Sequence, residues 1–215
     1  MISTNKRAIA CLGATIIALA IGKPAKANIF LNPDTGHYYE FVSGQHHWLE
    51  AKELAESRSH KGWQGYLATI TSQAEQNFIA SSFTTSGWGG WIGASDAAAE
   101  GVWEWVTGPE AGTVFLQDGI SVGYNNFAPG QPNDFLGLEE YAHIRPDIGD
   151  KWNDLPSDIS GITNPDHQIV GYYVEYGGLE PENSPKPVPE PGSVLGLLAL
   201  GALGIVSRLG KGKSN

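Results

Sequence analysis

Cysteine occurs once among the 215 residues, at Cys11, inside an N-terminal stretch that reads as removable. The exported part of the chain therefore has no disulfide and no thiolate, and must hold itself by core packing or bound metal. Basic residues are nearly as scarce where it matters. Seven of the thirteen lie in residues 1–27 and 207–215, whereas all 23 acidic residues lie between, which leaves −17 over the middle of the chain. Such a surface argues against nucleic acid and anionic membranes as partners, and suits a secreted protein that gathers cations. Long apolar runs are also missing. The two that occur, one near each end, both fall short of the roughly 20 residues that span a bilayer comfortably.

Each end nevertheless has an order of its own. Residues 1–27 carry Lys6 and Arg7, an uncharged run from Ala8 to Ile21 and then Ala25-Lys26-Ala27. That order is the pattern of a secretory signal peptide, cut before Asn28. At the other end, residues 177–192 (GGLEPENSPKPVPEPG) form a linker whose prolines deny it both helix and sheet pairing. Residues 193–215 then supply an apolar helix and a basic end with Arg208, Lys211 and Lys213, which marks the cytoplasmic side. Pro189-Glu190-Pro191, the apolar helix and the basic end together resemble the PEP-CTERM sorting signal of bacterial exported proteins. The resemblance implies a transient membrane anchor, a membrane-embedded sorting protease as partner, and release to the cell surface or extracellular matrix.

Residues 28–176 read as one domain without internal repeats. HYYEFVS (37–43) has the aromatic alternation of a strand. Trp48, Ala51, Leu54 and Ala55 share one face at helical spacing, and Ser72 with Glu75 forms a capping box ahead of Phe78, Ile79 and Phe83. Two helices with a short link are therefore expected. Beyond Gly87 the chain turns to tryptophan, glycine and β-branched residues. GGWIGASD, VWEWV, YAHIRP and GYYVEYG read as short strands, with Trp103 and Trp105 on one face as core. Strand, two helices and then several strands make an α+β domain.

Four separated pieces offer oxygen ligands: Asp96 and Glu100; Gln131, Asn133 and Asp134; Glu139 and Glu140; Asn153 and Asp154. Carboxylates mixed with carboxamides suit calcium, which takes 6 to 8 hard oxygens in flexible geometry. With no cysteine and no paired histidine spacing beside them, they argue against zinc. Solvated acidic loops are the plain alternative. Pro132 counts against it, because a cis bond there would set Gln131 and Asn133 side by side.

At this point the chain resembles the C-type lectin-like domain over residues 36–176. WLEAKELAE, LATITSQAEQNFI, WIGASD with EGVWEW, GQPND, EEY, WNDLP and YYVEY occur in the family's order. The resemblance implies two helices with a small, mostly antiparallel sheet and a long calcium-binding loop region. It assigns a sugar-binding calcium site to Gln131, Asn133, Glu139, Asn153 and Asp154. It assigns an auxiliary calcium site to Asp96, Glu100, Asp134, Glu139 and Glu140, every member of which is a carboxylate. The family's disulfide cysteines would fall at Ala55, Tyr141, near Ser157 and at Val174; bridges of that kind contribute about 2 to 5 kcal/mol each. The loop tripeptide Gln131-Pro132-Asn133 carries amides where sugar-binding members place one carboxylate. One hydroxyl contact and the calcium affinity both weaken as a result, and neither mannose-type nor galactose-type ligands are singled out.

The leading expectation is a calcium-dependent carbohydrate-binding protein of the cell surface or extracellular polysaccharide matrix, gripping its glycan weakly or by multiple copies. The alternative is a protein-binding or structural matrix module in which calcium only rigidifies loops. An enzyme is the least favoured reading. The six histidines (37, 46, 47, 60, 143 and 167) form no zinc or nucleophile motif, and neighbouring Glu139 and Glu140 point apart on a strand.

Overall fold

The computed structural model describes residues 28–162 and 168–178. The signal-peptide and sorting-helix assignments, and all of the linker but Gly177 and Gly178, fall outside the described residues. Among the described residues, no helix is long and apolar enough to cross a membrane.

Strands β1 (Ile29–Leu31) and β2 (Tyr38–Ser43) lead into helix α1 (Trp48–Glu56). Hairpin strands β3 (Ser59–His60) and β4 (Trp63–Leu67) separate it from helix α2 (Gln73–Ser82). The chain continues through β5 (Gly90–Ser95), β6 (Val102–Trp105), β7 (Val114–Gln117) and β8 (Ile120–Ser121). After a long excursion come β9 (Tyr141–Arg145), β10 (Lys151–Leu155) and β11 (Gly171–Tyr176). The main path of the sheet runs β1-β2-β11-β5-β6-β7-β8, with β9 and β10 joined through β5 and β3 and β4 through β11. Among the described strands, only β11 and β5 pair in parallel; the other strand pairs are antiparallel.

The two-helix expectation holds, but the link is not short, because it contains the β3–β4 hairpin. β4 matters to the fold because it flanks β11, which is buried along its whole length between β2, β4 and β5. That position explains why GYYVEY is apolar at every residue but Glu175. On α1, Trp48, Ala51 and Ala55 are buried, with Leu54 half-buried beside them. On α2, the Ser72 side chain accepts from the Glu75 N–H at 3.2 Å, which is half of the expected capping box. Glu75 does not return to the cap. It turns inward, where its carboxylate accepts from Thr71 N–H at 2.8 Å and from the Tyr39 hydroxyl.

Two apolar clusters lie on either side of the sheet. One gathers Ile79, Trp103, Trp105, Phe115, Trp152 and Tyr173; Trp103 and Trp105 are core residues, as their alternation implies. The other packs α1 against Leu67, Trp91, Tyr172, Val174 and Tyr176. Two positions that would carry a disulfide, Ala55 and Val174, are both wholly buried in this second cluster. Gly65 fits between them. A Cβ there would meet the Ala55 carbonyl oxygen at 2.6 Å and Val174 Cγ1 at 2.9 Å. At the other bridge, Tyr141 packs its ring on Trp48 at 4.5 Å, and the Ser157 carbonyl accepts the Trp48 N–H at 3.3 Å.

Candidate cation and ligand site

The chain between β8 and β9 forms no strand, only a 3-10 turn at Phe135–Gly137. Its shape is set by backbone groups turned onto carboxylates. Asp154 Oδ2, on β10, accepts the N–H groups of Asn133 at 2.9 Å and Asp134 at 2.8 Å. Asp134 Oδ1 accepts from Glu139 N–H at 3.1 Å, and Glu139 Oε2 accepts from Phe135 N–H at 3.0 Å. The Gln131–Pro132 bond is cis. Asp134 and Leu136 take left-handed backbone conformations, at φ 43° and 65°. The loop folds tightly enough that Phe135, Leu136 and Leu138 are thrown outward and exposed.

Beneath this loop is a cavity of about 390 Å³ lined by Asp96, Glu100, Gln131, Asp134 and Asp154, with Trp103, Leu116 and Phe127 also in its wall. Asp96 follows the end of β5 and is anchored twice: its N–H donates to the Glu140 carbonyl at 3.2 Å, and its Oδ2 accepts from Gly101 N–H at 3.1 Å. Three acceptor oxygens in this wall are buried and have no hydrogen-bond partner: Asp96 Oδ1, Gln131 Oε1 and Asp154 Oδ1. A buried polar atom left unpaired costs about 1 to 3 kcal/mol. Three lone-pair donors around one cavity are therefore a site that only a cation or a set of donors can satisfy.

The electrostatics agree. Burial pushes the Asp96 carboxyl up to about 6, with Glu100 and Asp154 adding to the rise. Glu139 is pushed up to about 7 by burial, with Asp154 and Asp134 adding. Asp154 and Glu100 are raised as well, first by burial and then by neighbouring carboxylates. A bound divalent cation reverses that logic by favouring the ionised forms. Among the described residues, no three His, Cys, Asp or Glu side chains close on one point as a metal cluster. An ion here would consequently draw on the Gln131 carboxamide and on backbone carbonyls as well as on Asp96 and Asp154, a mixed oxygen set that fits calcium.

Of the residues singled out in the sequence, Asp96, Glu100, Gln131, Asp134 and Asp154 meet at the cavity. Asn133 joins through its backbone, Glu139 through Asp134 and Phe135, and Glu140 through the carbonyl that binds Asp96. Asn153 is placed differently. As the strand neighbour of Asp154 it points to the opposite face of β10, where its Nδ2 lies 3.1 Å from His143 Nε2. His143, Asp118, Ser121 and Asn125 were not singled out in the sequence, although the last three also line the cavity. Asp118-Gly119 is a readable hairpin signal between β7 and β8, but nothing in its spacing says which way the hairpin leans.

Two helices packed against opposite faces of a mixed sheet, with a long loop laid over an oxygen-lined cavity, define the C-type lectin class of fold. The Lectin C-type domain model matches residues 44–159, and the PEP-CTERM protein-sorting motif matches residues 187–211. The chain belongs to the C-type lectin domain family. Halomucin of Haloquadratum walsbyi is 44% identical over 163 residues, which cover 74% of this chain and 2% of halomucin. The human C-type lectin domain family 10 member A is 33% identical over 125 residues, 54% of this chain and 32% of that protein. The chain thus spans a minor part of the length of these relatives. Among solved structures, the EPNH mutant of CEL-I, a C-type lectin from Cucumaria echinata, shares the fold with a TM-score of 0.53; it is 24% identical and covers 72% of this chain and 98% of its own.

Proposed function

We propose that the domain binds carbohydrate in a calcium-dependent manner, at the cell surface or in an extracellular polysaccharide matrix. The observation that carries this reading is the trio of buried, unpartnered oxygens on Asp96, Gln131 and Asp154. C-type lectin domain homologues are carbohydrate-binding proteins, and the sorting motif implies export and processing by a sorting enzyme. In this reading Gln131, Asn133, Glu139 and Asp154 hold the ion that meets the glycan, with Asn153 turned to the opposite face of β10, and Asp96, Glu100, Asp134, Glu139 and Glu140 hold the auxiliary one. Calcium there supplies a Lewis-acidic point to which sugar hydroxyl oxygens bind. The chain supplies acceptors and donors around them. The family fold is generally non-enzymatic, and we assign this chain a binding role without turnover.

A specific observation favours a second reading, a protein-binding matrix module. Phe135, Leu136 and Leu138 are 63%, 76% and 58% exposed on the loop that carries the site, as an apolar contact for a protein partner would be. A glycan and polysaccharide array run with calcium and with chelator separates the two, with Gln131→Glu as a second probe. Carbohydrate binding predicts calcium-dependent retention that Gln131→Glu tightens. Retention of no glycan by either form, with calcium still bound, leaves only the protein-binding reading.

A further inference from the structure

The cavity beneath the loop is larger than an ion needs. Its volume of about 390 Å³ would hold roughly a dozen waters and lies in the range of small-ligand sites. Asp96 and Asp154, 2% and 0% exposed, each bring an unpartnered Oδ1 to its wall. Another part of the wall comes from the β7–β8 hairpin, through Asp118, Gly119 and Ser121, and from Asn125 beyond it. Gln117 pairs with Ile120, so Asp118 and Gly119 form a two-residue turn, and their φ angles of 49° and 76° suit type I′. The turn leans on the loop that carries Asp96. Asp118 N–H donates to the Gly101 carbonyl at 2.9 Å, and Gly101 N–H donates to Asp96 Oδ2 at 3.1 Å. A Cβ on Gly101 would stand 3.4 Å from Asp118 Oδ1, which fixes the carboxylate beside that loop. Among the described residues, no hydrogen bond or ion pair reaches the Asp118 carboxylate. Asn125 Nδ2 donates to Ser121 Oγ at 2.5 Å, which leaves the carboxamide oxygen as an acceptor and the serine hydroxyl as a donor.

Charge then selects among ligands. Asp96, Glu100, Asp118, Asp134 and Asp154 line the cavity, and no Lys, Arg or His does. One calcium ion leaves this wall at −5 + 2, or −3, and two leave it at −1. In either case a uronate or sulfate group is repelled and a cation is drawn in. An ammonium group carries three N–H donors and no acceptor, the complement of the Asp118 carboxylate and the Asn125 carboxamide oxygen. We infer that the glycan this site reads is cationic, an amino sugar with free amines, and that Asp118 receives the ammonium group while the ion holds neighbouring hydroxyls. The inference rests on the carbohydrate-binding reading and names the sugar class that Gln131-Pro132-Asn133 leaves open.

Two glucosamine disaccharides test this, one with free amines and one N-acetylated. Each is titrated into the ¹⁵N-labelled full chain at saturating calcium, matched ionic strength and a mildly acidic pH that keeps the amines protonated, and binding is read from backbone amide shifts. The free-amine form should bind at least about tenfold more tightly, the worth of one charge-assisted hydrogen bond. Asp118→Asn keeps the turn, because asparagine also takes left-handed φ, and should bring the ratio of the two affinities within about threefold. That ratio is the readout, so a general loss of structure does not imitate the effect. Diffuse attraction to the −17 of the chain would survive the loss of one charge, so a preference that persists in Asp118→Asn overturns the role of Asp118. Equal or tighter binding of the acetylated form to the wild type overturns the amino-sugar class and leaves carbohydrate binding standing. Nα-acetyl-lysine amide is the third probe. If it binds as tightly as the free-amine disaccharide, the ammonium group comes from protein lysines and the glycan source is overturned. Binding of neither disaccharide also overturns the inference; the carbohydrate reading falls with it only if the glycan array in calcium retains nothing.

Discussion

Asp154 uses its two oxygens unequally: Oδ2 accepts two loop N–H groups, and Oδ1, buried to the same degree, accepts none. Burial raises its pKa against the pull of those two N–H bonds. Asp154→Asn keeps an oxygen for both loop amides and removes the uncompensated charge. In chelator its melting temperature should therefore be no lower than that of the wild type. Its calcium affinity should fall at least about tenfold, because ligand charge tunes affinity. Calorimetric titration beside thermal melts checks both, and an unchanged affinity would remove Asp154 from the site. Much of this was readable in the residues themselves. Gln131, Asn133, Asp134 and Glu139 stand close in the chain, so their convergence needs only a tight turn. Asn153 and His143 lie ten residues apart and meet through the β9–β10 register, which no local pattern states. The orientation of Asn153 was illegible for that reason.

At the scale of elements, α1 and β11 are held by packing where the family uses a covalent bridge. Ala55 and Val174 lie in the same buried cluster, and Gly65 has no room for a side chain between them. Introducing Ala55→Cys together with Val174→Cys should close a disulfide in a domain that otherwise has no cysteine. The gain should be about 3 kcal/mol, read as a higher denaturation midpoint that reductant abolishes. Free thiols in the oxidised double variant would show that the two elements do not approach as described. The helices were legible because their apolar spacing is local. The β3–β4 hairpin was not, since two-residue β3 carries no alternation and the rest of β4 takes its pairing from β11, far along the chain.

A second group of elements is joined by buried charge. Glu75 of α2 and Glu175 of β11 both accept from the Tyr39 hydroxyl of β2, and His37 Nδ1 lies 2.5 Å from Glu175. Burial, with Glu175 nearby, raises Glu75 from the usual 4.5 to about 6, whereas the hydrogen bond to Glu175 raises His37 above 6.5. Both groups hold protons more tightly in the folded state. The Glu75 contribution is lost as pH rises from 4.5 to about 6, and that of His37 as pH rises through its elevated value. In chelator, the domain should therefore melt at a higher temperature at pH 5 than at pH 8. Glu75→Gln should flatten the acidic part of that slope by about 2 kcal/mol. Identical slopes in the variant and wild type would show that Glu75 ionises freely.

For the whole molecule, the governing quantity is the −17 carried between the two ends, on a domain with no disulfide to resist its self-repulsion. Diffuse repulsion and a built cation site both predict that added salt stabilises, but they differ in what the cation must be. Repulsion responds to ionic strength alone. A mixed site built on Asp96, Gln131 and Asp154 needs an ion that tolerates irregular oxygen geometry. Calcium does so, whereas magnesium demands a near-octahedral shell and keeps its water. At matched ionic strength, calcium at one hundred times its dissociation constant should add about 2.7 kcal/mol. For a domain of this size that is a rise of roughly 5 to 10 °C in melting temperature. Magnesium should add little beyond what sodium chloride adds. Equal shifts from the two divalent ions would mean that the carboxylates act only as a diffuse charge, and that the buried oxygens around the cavity find their partners in water.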